Sequence, residues 1–494
     1  MPLRLFDDIE RADPSPMLRC EPYFDFINRT SRGGAEMIRE AAEFWFSHYP
    51  PENQAALRSR FRSSIDREHH SAAFELILHE ALLRLGCTLE LEPDLANGST
   101  KRPDFLATAP NGSRFYLEAT VVTAKTPDEQ AAQERINRVY DAIDRLDSPN
   151  FFLGVDVDGS PKSSVPSKDM RSYLLKRLAE LDPDAVVAAY ERAGEAALPR
   201  WEFGHDGWVV KFHPIPKSAE ARGKSGVRPL GLVANWVRWV QTAAHMRDSL
   251  VDKAGRYGEL DLPYLVAINV LDHIDGYDIK EALFGAECVT VKVSPDGVEA
   301  TPNRTPDGVW TSRVGPRYRR LGAVLVTGEL HISSCGSGSV TLWHNPWAER
   351  PYGSVLTQFP QYVAVDSRME RLEGRTLADI LGAEVRMAVV ADNCSRWTPV
   401  SSATLSNPES TWATLCATRG SGGRHGRAVP PRGLVRPGSL SRGRPWRRRP
   451  VEYAPPLRTL RWSRPQRRGH GGRARSEIPD SARSPTCPPR SPTG

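Results

Sequence analysis

The sequence predicts a mixed α/β (α+β) fold in which a mixed central β-sheet is flanked by helices. Three observations lead there. Helix-periodic and strand-like segments alternate along most of the chain. Between residues 71 and 181 they follow the order α-β-β-β-α-β-α, which suits a sheet sandwiched by helices. Apolar, β-branched runs such as FFLGVDV (151–157) and PYLVAINV (263–270) are too short for core helices and read as buried strands.

Length allows about two to three domains. The whole-chain charge of +6 hides an asymmetry. Residues 401–494 hold 19 arginines, no lysine and 4 acids, a balance of +15, which leaves −9 for the first 400 residues. The body is mildly acidic and the tail strongly basic. The seven cysteines are scattered with no C-x-x-C pair, so neither a disulfide framework nor a zinc site is indicated. MPLRLFDDIERADP carries early acids and no apolar core, so it does not read as a signal peptide. No apolar run approaches the ~20 residues of a membrane span, and the expected compartment is a reducing cytoplasm.

Residues 1–70 form a predicted helical cap. GGAEMIREAAEFWFSHY is helix-periodic and stops at Pro50-Pro51, and ENQAALRSRFRSS is a second helical run. The spacing then predicts a helix over 71–85, with Phe74, Ile77, Leu78, Ala81, Leu82 and Leu85 as its core stripe. Gly86 is placed as its C-terminal cap. Glu75 and His79 flank the stripe one turn apart, and His69-His70 read as a solvated helix start.

Residues 87–92 alternate as a strand. RPDFLATAPNGSRFYLEAT (102–120) then reads as two strands joined by a hairpin. Asn111-Gly112 tolerates the turn's φ > 0, and Pro110 stops the first strand. Period two sends Phe115, Leu117, Ala119 and Val121 to one face and Tyr116, Glu118 and Thr120 to the other. A carboxylate among apolar neighbours needs a partner. A cation between Asp104 and Glu118 is such a partner, since converging oxygens with water hold Mg²⁺.

Thr126-Pro127-Asp128-Glu129 is a capping box with proline at the first helical position, opening a helix to about residue 146. A strand at 151–157, a helix at 168–181 and a strand at 208–215 follow. From Lys211 to Arg228 come Lys211, Lys217, Arg222, Lys224 and Arg228 against Glu220 alone, a candidate grip on a phosphodiester backbone in an otherwise acidic body. Gly223-Lys224-Ser225 is not a P-loop, because Ser218 stands where the first glycine belongs and Pro229 breaks the helix that must follow. Residues 236–257 read as a helix, with strands at 263–270, 321–332 and 339–343. The segment 216–382 reads as an extension of the same sheet or a second α+β lobe. Residues 383–494 lose apolar periodicity to Arg, Pro, Gly and Ser. This tail is expected to be disordered, either a nucleic-acid-binding tail or an out-of-frame translation of GC-rich DNA.

Pro103-Asp104, a hairpin, then Glu118-Ala119-Thr120 resembles the PD-(D/E)XK nuclease superfamily, whose fold is restriction-endonuclease-like. FELILHEALLRLG just upstream resembles that family's first helix, with Glu75 at its acidic position. The resemblance covers about residues 71–157 and implies a nuclease-like core over 71–215. It implies a metal-dependent nuclease, on DNA, with Asp104, Glu118 and Glu75 around Mg²⁺ or Mn²⁺. Thr120 stands where the family has its catalytic lysine. Lys125 and Lys101 are the nearest replacements in sequence, and both have the wrong strand parity unless the strand bulges. The second reading is a nuclease-like fold without catalysis that binds nucleic acid or a protein.

Overall fold

Four helices precede the first strand: α1 (Tyr23–Arg29), α2 (Ala35–Ser47), α3 (Pro51–Phe61) and α4 (Asp66–Arg84). The computed structural model describes residues 2–224, 227–234, 242–294, 297–365 and 368–382, all within the first of the chain's two units, residues 1–419. The expected tail at 383–494 lies outside the described residues.

Proline at the first position of α3 is there because it has no N–H to leave unpaired. α4 begins five residues earlier than the apolar spacing predicts. His69 and His70 are therefore inside the helix and buried, not a solvated start. The apolar stripe is buried as expected, but so are Ala72, Ala73 and Leu76 on other sides of α4. α1, α2 and α3 supply the cover: Phe24, Trp45 and Phe61 share one apolar core with Phe74, Phe105 and Leu117. Gly86 follows α4 at φ +83, and a Cβ there would sit 2.8 Å from Pro110 Cγ. Turn geometry and packing both call for glycine at this position.

Strands β1 (Thr88–Leu91), β2 (Phe105–Thr108) and β3 (Arg114–Val122) form an antiparallel meander. The hairpin is not the two-residue turn that Asn111-Gly112 suggested. Gly112 has φ +80 while Asn111 is not left-handed, Gly112 N–H donates to Ala109 O, and Ala109 N–H donates to Ser113 O. This is a three-residue loop whose last residue is the left-handed one.

The chain then leaves the sheet. Helix α5 (Pro127–Asp144) starts on the Thr126/Glu129 capping box. β4 (Phe151–Val157), α6 (Ser167–Ala179), α7 (Pro183–Ala193), β5 (Trp201–His205), β6 (Trp208–Pro216) and β7 (Leu230–Ala234) follow. Their strands make a separate four-stranded sheet in the order β5-β6-β4-β7. It has its own core, including Ile143, Leu153, Leu174 and Phe212. The core expected as one block over 71–215 is thus divided, because β4 pairs with β6 and β7 and not with the meander.

Helix α8 (Thr242–Ala254) leads back to the first sheet, where β8 (Tyr264–Val270) lies parallel to β3. All seven residues of β8 are buried, as a parallel strand covered on both faces requires. After α9 (Gly276–Phe284) and a two-stranded ribbon of β9 (Glu287–Ser294) and β10 (Gly297–Arg304) come β11 (Leu321–Gly328), β12 (Ser339–His344), β13 (Gln361–Val365), β14 (Arg368–Leu372) and α10 (Leu377–Leu381). The result is a mixed eight-stranded sheet in the order β1-β2-β3-β8-β11-β12-β13-β14. Within 216–382, β8 and β11 to β14 lie in the first sheet, β7 lies in the four-stranded one, and β9 and β10 pair only with each other among the described residues. Helices α1 to α4 and α10 cover one face and α8 and α9 the other. Among the described residues no helix is long and apolar enough to cross a membrane.

Candidate active site

The register of β2 and β3 decides where the two acids meet. Phe105 pairs with Leu117, so the position before β2, Asp104, lies across from Glu118. Phe115, Leu117 and Val121 enter the core under α1 to α4, while Tyr116 enters the core under α8 and α9. Period two therefore turns Glu118 and Thr120 towards α8. Glu118 is 3% exposed and Thr120 is also buried.

Glu118 is not left alone there. Its Oε1 accepts from Lys253 Nζ at 2.7 Å and from Arg256 Nη1 at 3.4 Å. Its Oε2 accepts from the Tyr257 hydroxyl, which also lies 3.0 Å from Arg102 O. Lys253 sits in the last turn of α8, and Arg256 and Tyr257 follow just past the helix end. One turn of chain thus brings two cations and a phenol to one carboxylate. Burial and the Glu118 charge push the Tyr257 phenol well above its usual range, so it stays a donor.

Asp104 is held differently. Its Oδ2 accepts from the Ala119 N–H at 2.6 Å. Burial, then the nearby carboxylates of Glu118 and Glu75, push its carboxyl up to about 8, opposed by the Ala119 N–H and the Lys253 charge. Glu75 approaches from α4. Its two oxygens accept from the Tyr49 hydroxyl at 2.5 Å and from Arg60 Nη1 at 2.7 Å. Tyr49 is raised by burial and by Glu75 and likewise remains a donor. His79 joins this wall as a ring, 4.7 Å from the Tyr49 ring centroid, and burial lowers it to about 4. It is neutral near pH 7.

The structure thus brings together Glu75, Asp104 and Glu118, with Thr120 on the Glu118 face. It does not bring Lys125 or Lys101 to them. Lys125 Nζ lies 4.0 Å from Asp272 Oδ1, just beyond the end of β8, and Lys101 is exposed in the loop before Pro103. The strand stays regular, so parity keeps both away. The amine comes instead from Lys253, 135 residues after Glu118 in sequence.

In comparisons with known proteins, no family model, no curated protein and no solved structure matches the chain.

The basic stretch at 211–228 does not form a free cationic surface. Lys217 is buried, donates to Ser148 O at 2.7 Å and lies over the Phe152 ring. Arg222 pairs with Asp184 at 2.6 Å. Arg228 donates to the carbonyls of Pro16 and Met17 and stands 3.7 Å from Asp144. Lys211 is 3.7 Å from Glu202. Only Lys224 is exposed with no partner among the described residues. Lys253, Arg256, Tyr257, Tyr49 and Arg60 escaped sequence reasoning. One signal for the first three was legible: Lys-x-x-Arg-Tyr ends a predicted helix just before a buried strand.

Among the described residues, no group of three or more His, Cys, Asp or Glu stands ready to hold a metal ion. Asp104 feels the Glu118 charge, while Glu118 itself is met by Lys253, Arg256 and Tyr257.

Proposed function

We propose that this chain is a metal-dependent nuclease hydrolysing phosphodiester bonds, with DNA as substrate. Asp104 and Glu118 hold Mg²⁺ or Mn²⁺, and Glu75 acts through water. The observation that carries the reading is Lys253: its amine reaches Glu118 at 2.7 Å on the very face where Thr120 leaves the family's lysine missing. The element order supports it in part: α4 and the β1-β2-β3 meander keep the first four elements of the order on which the resemblance rests, but the expected helix and strand, α5 and β4, enter the four-stranded lobe, and it is α8 and β8 that return to the meander.

A bound divalent ion lowers the pKa of attacking water and stabilises charge on the phosphate. The chain's own groups supply the rest. Asp104, opposite Glu118, presents one carboxylate oxygen while its other is fixed by the Ala119 N–H. Lys253, with Nζ 2.7 Å from Glu118 Oε1, places a cationic side chain where it stabilises negative charge that develops on the phosphate. Arg60 and Tyr49 fix Glu75, so its carboxylate is oriented before substrate arrives.

The test is nicking of supercoiled plasmid with Mg²⁺ or Mn²⁺, paired with calorimetric titration of each ion. Wild type is expected to bind the ion and nick. Asp104→Ala and Glu118→Ala are expected to lose both while remaining folded by circular dichroism. Equal nicking by both variants sinks the proposed site. A wild type that binds nucleic acid tightly but never cleaves leaves the second reading, a binding module.

A further inference from the structure

His69 and His70, read from sequence as a solvated helix start, lie in the first half of α4, and the catalytic proposal uses neither. His69 is spoken for, with Nδ1 2.5 Å from Phe61 O. His70 is different. Its Nδ1 faces Nδ1 of His331, in the loop after β11, at 3.4 Å, and the ring centroids are 4.6 Å apart. Tyr23 lies against both rings, at 5.1 and 5.6 Å, and its hydroxyl meets Ser333 Oγ.

The separation of the two nitrogens is informative. Imidazole nitrogens bind Zn²⁺ at about 2.0–2.1 Å, so two of them on one tetrahedral ion are about 3.3–3.4 Å apart. The pair already has that spacing. A cleft of about 250 Å³ shares Tyr23 and Ser333 with the surroundings of the pair, although neither histidine is among its lining residues.

We propose that His70 and His331 form a two-histidine site for a divalent transition ion, Zn²⁺ being the reference case. Water would complete the coordination. The site is separate from the carboxylates. Glu118 is level with Val266 and Val324 in the middle of the sheet, while His331 lies beyond the C-terminal end of β11. The ion would tie α4 to the loop after β11, beside the contact between Tyr23 and Ser333.

The experiment is calorimetric titration of the full chain with Zn²⁺ in Mg²⁺-free buffer. Wild type is expected to bind one ion, with affinity reduced about tenfold or more in both His70→Ala and His331→Ala. Affinity in Lys211→Ala, at an exposed residue of the four-stranded lobe, should match wild type. Absence of Zn²⁺ binding, or binding equal in wild type and both histidine variants, overturns the site. An equal loss in Lys211→Ala overturns it too. Because His70 is buried and its alanine variant is at risk of misfolding, His331→Gln and a Co²⁺ spectrum provide the second measurement. Tetrahedral Co²⁺ absorption present in wild type and lost in His331→Gln supports the site; a spectrum unchanged by that substitution defeats it.

Discussion

In the four-stranded lobe, cations find partners close by. Lys217 caps a carbonyl, Arg222 meets Asp184, Arg228 meets Asp144, and Lys211 faces Glu202. In the eight-stranded sheet the arrangement runs the other way. Asp104 is buried within the influence of the Glu118 and Glu75 charges, Glu118 takes its cations from the end of α8, and Glu75 takes Arg60 from α3. The lobe's charges serve its own stability. The burial of Asp104 near Glu118 and Glu75 carries an electrostatic cost, seen in its raised carboxyl. Charge density along the sequence pointed to the lobe, whereas charge convergence in space points to the sheet.

The sharpest way to break that comparison is to remove the imported amine. Lys253→Ala is expected to slow plasmid nicking by about 10²–10⁴-fold, the usual worth of a positioned proton-transfer group. Lys125→Ala should match wild type. Restoring a lysine from the strand, in the double variant Lys253→Ala with Thr120→Lys, should recover about tenfold or more of the loss. Thr120→Lys alone places a second ammonium under α8 and should slow cleavage. The opposite pattern, with Lys125→Ala inactive and Lys253→Ala normal, would return the role to the residue nearest in sequence.

A smaller effect separates stability from binding in the lobe. Lys217→Ala leaves the Ser148 carbonyl without its donor, at about 1–3 kcal/mol. That corresponds to a melting temperature lower by roughly 2–4 °C per kcal/mol for a domain of this size. Its affinity for DNA should not change. Weaker DNA binding at unaltered melting temperature would show that this lysine grips phosphate after all.

Asp104 offers a test through pH. Its folded value of about 8 lies above the ordinary carboxyl value, so the folded state holds a proton that the unfolded state releases. Its stabilising contribution is complete below about pH 4 and is lost as pH rises through 8. The stability of Asp104→Asn relative to wild type should therefore increase from pH 5 to pH 9 without added metal, as measured by denaturant melts. A flat difference would mean that Asp104 titrates normally. The smallest expected effect is at the surface: Lys211→Ala should shift stability by less than about 0.5 kcal/mol, since exposed ion pairs contribute little.

Much of this was legible one residue at a time. Period two over Phe115–Val122 assigned Glu118 and Thr120 to one face, and the Thr126/Glu129 box located the start of α5. Both rest on short-range geometry, in which neighbours along the chain set the outcome. The hairpin was only half legible, because Asn111-Gly112 signals a turn without stating how many residues it takes up.

By itself, then, the sequence determined the alternation of helices and strands, the apolar faces and the placing of Asp104 and Glu118 on the two arms of one hairpin, while the loop length that sets them opposite each other came from the structure. Only tertiary structure decided that β4 belongs to a second sheet, that β8 lies beside β3, and that the amine at the site is Lys253. The physical reason is that strand pairing and side-chain convergence depend on which surfaces meet after a long excursion of the chain. Periodicity records which face of an element is apolar, but it says nothing of which partner will cover it.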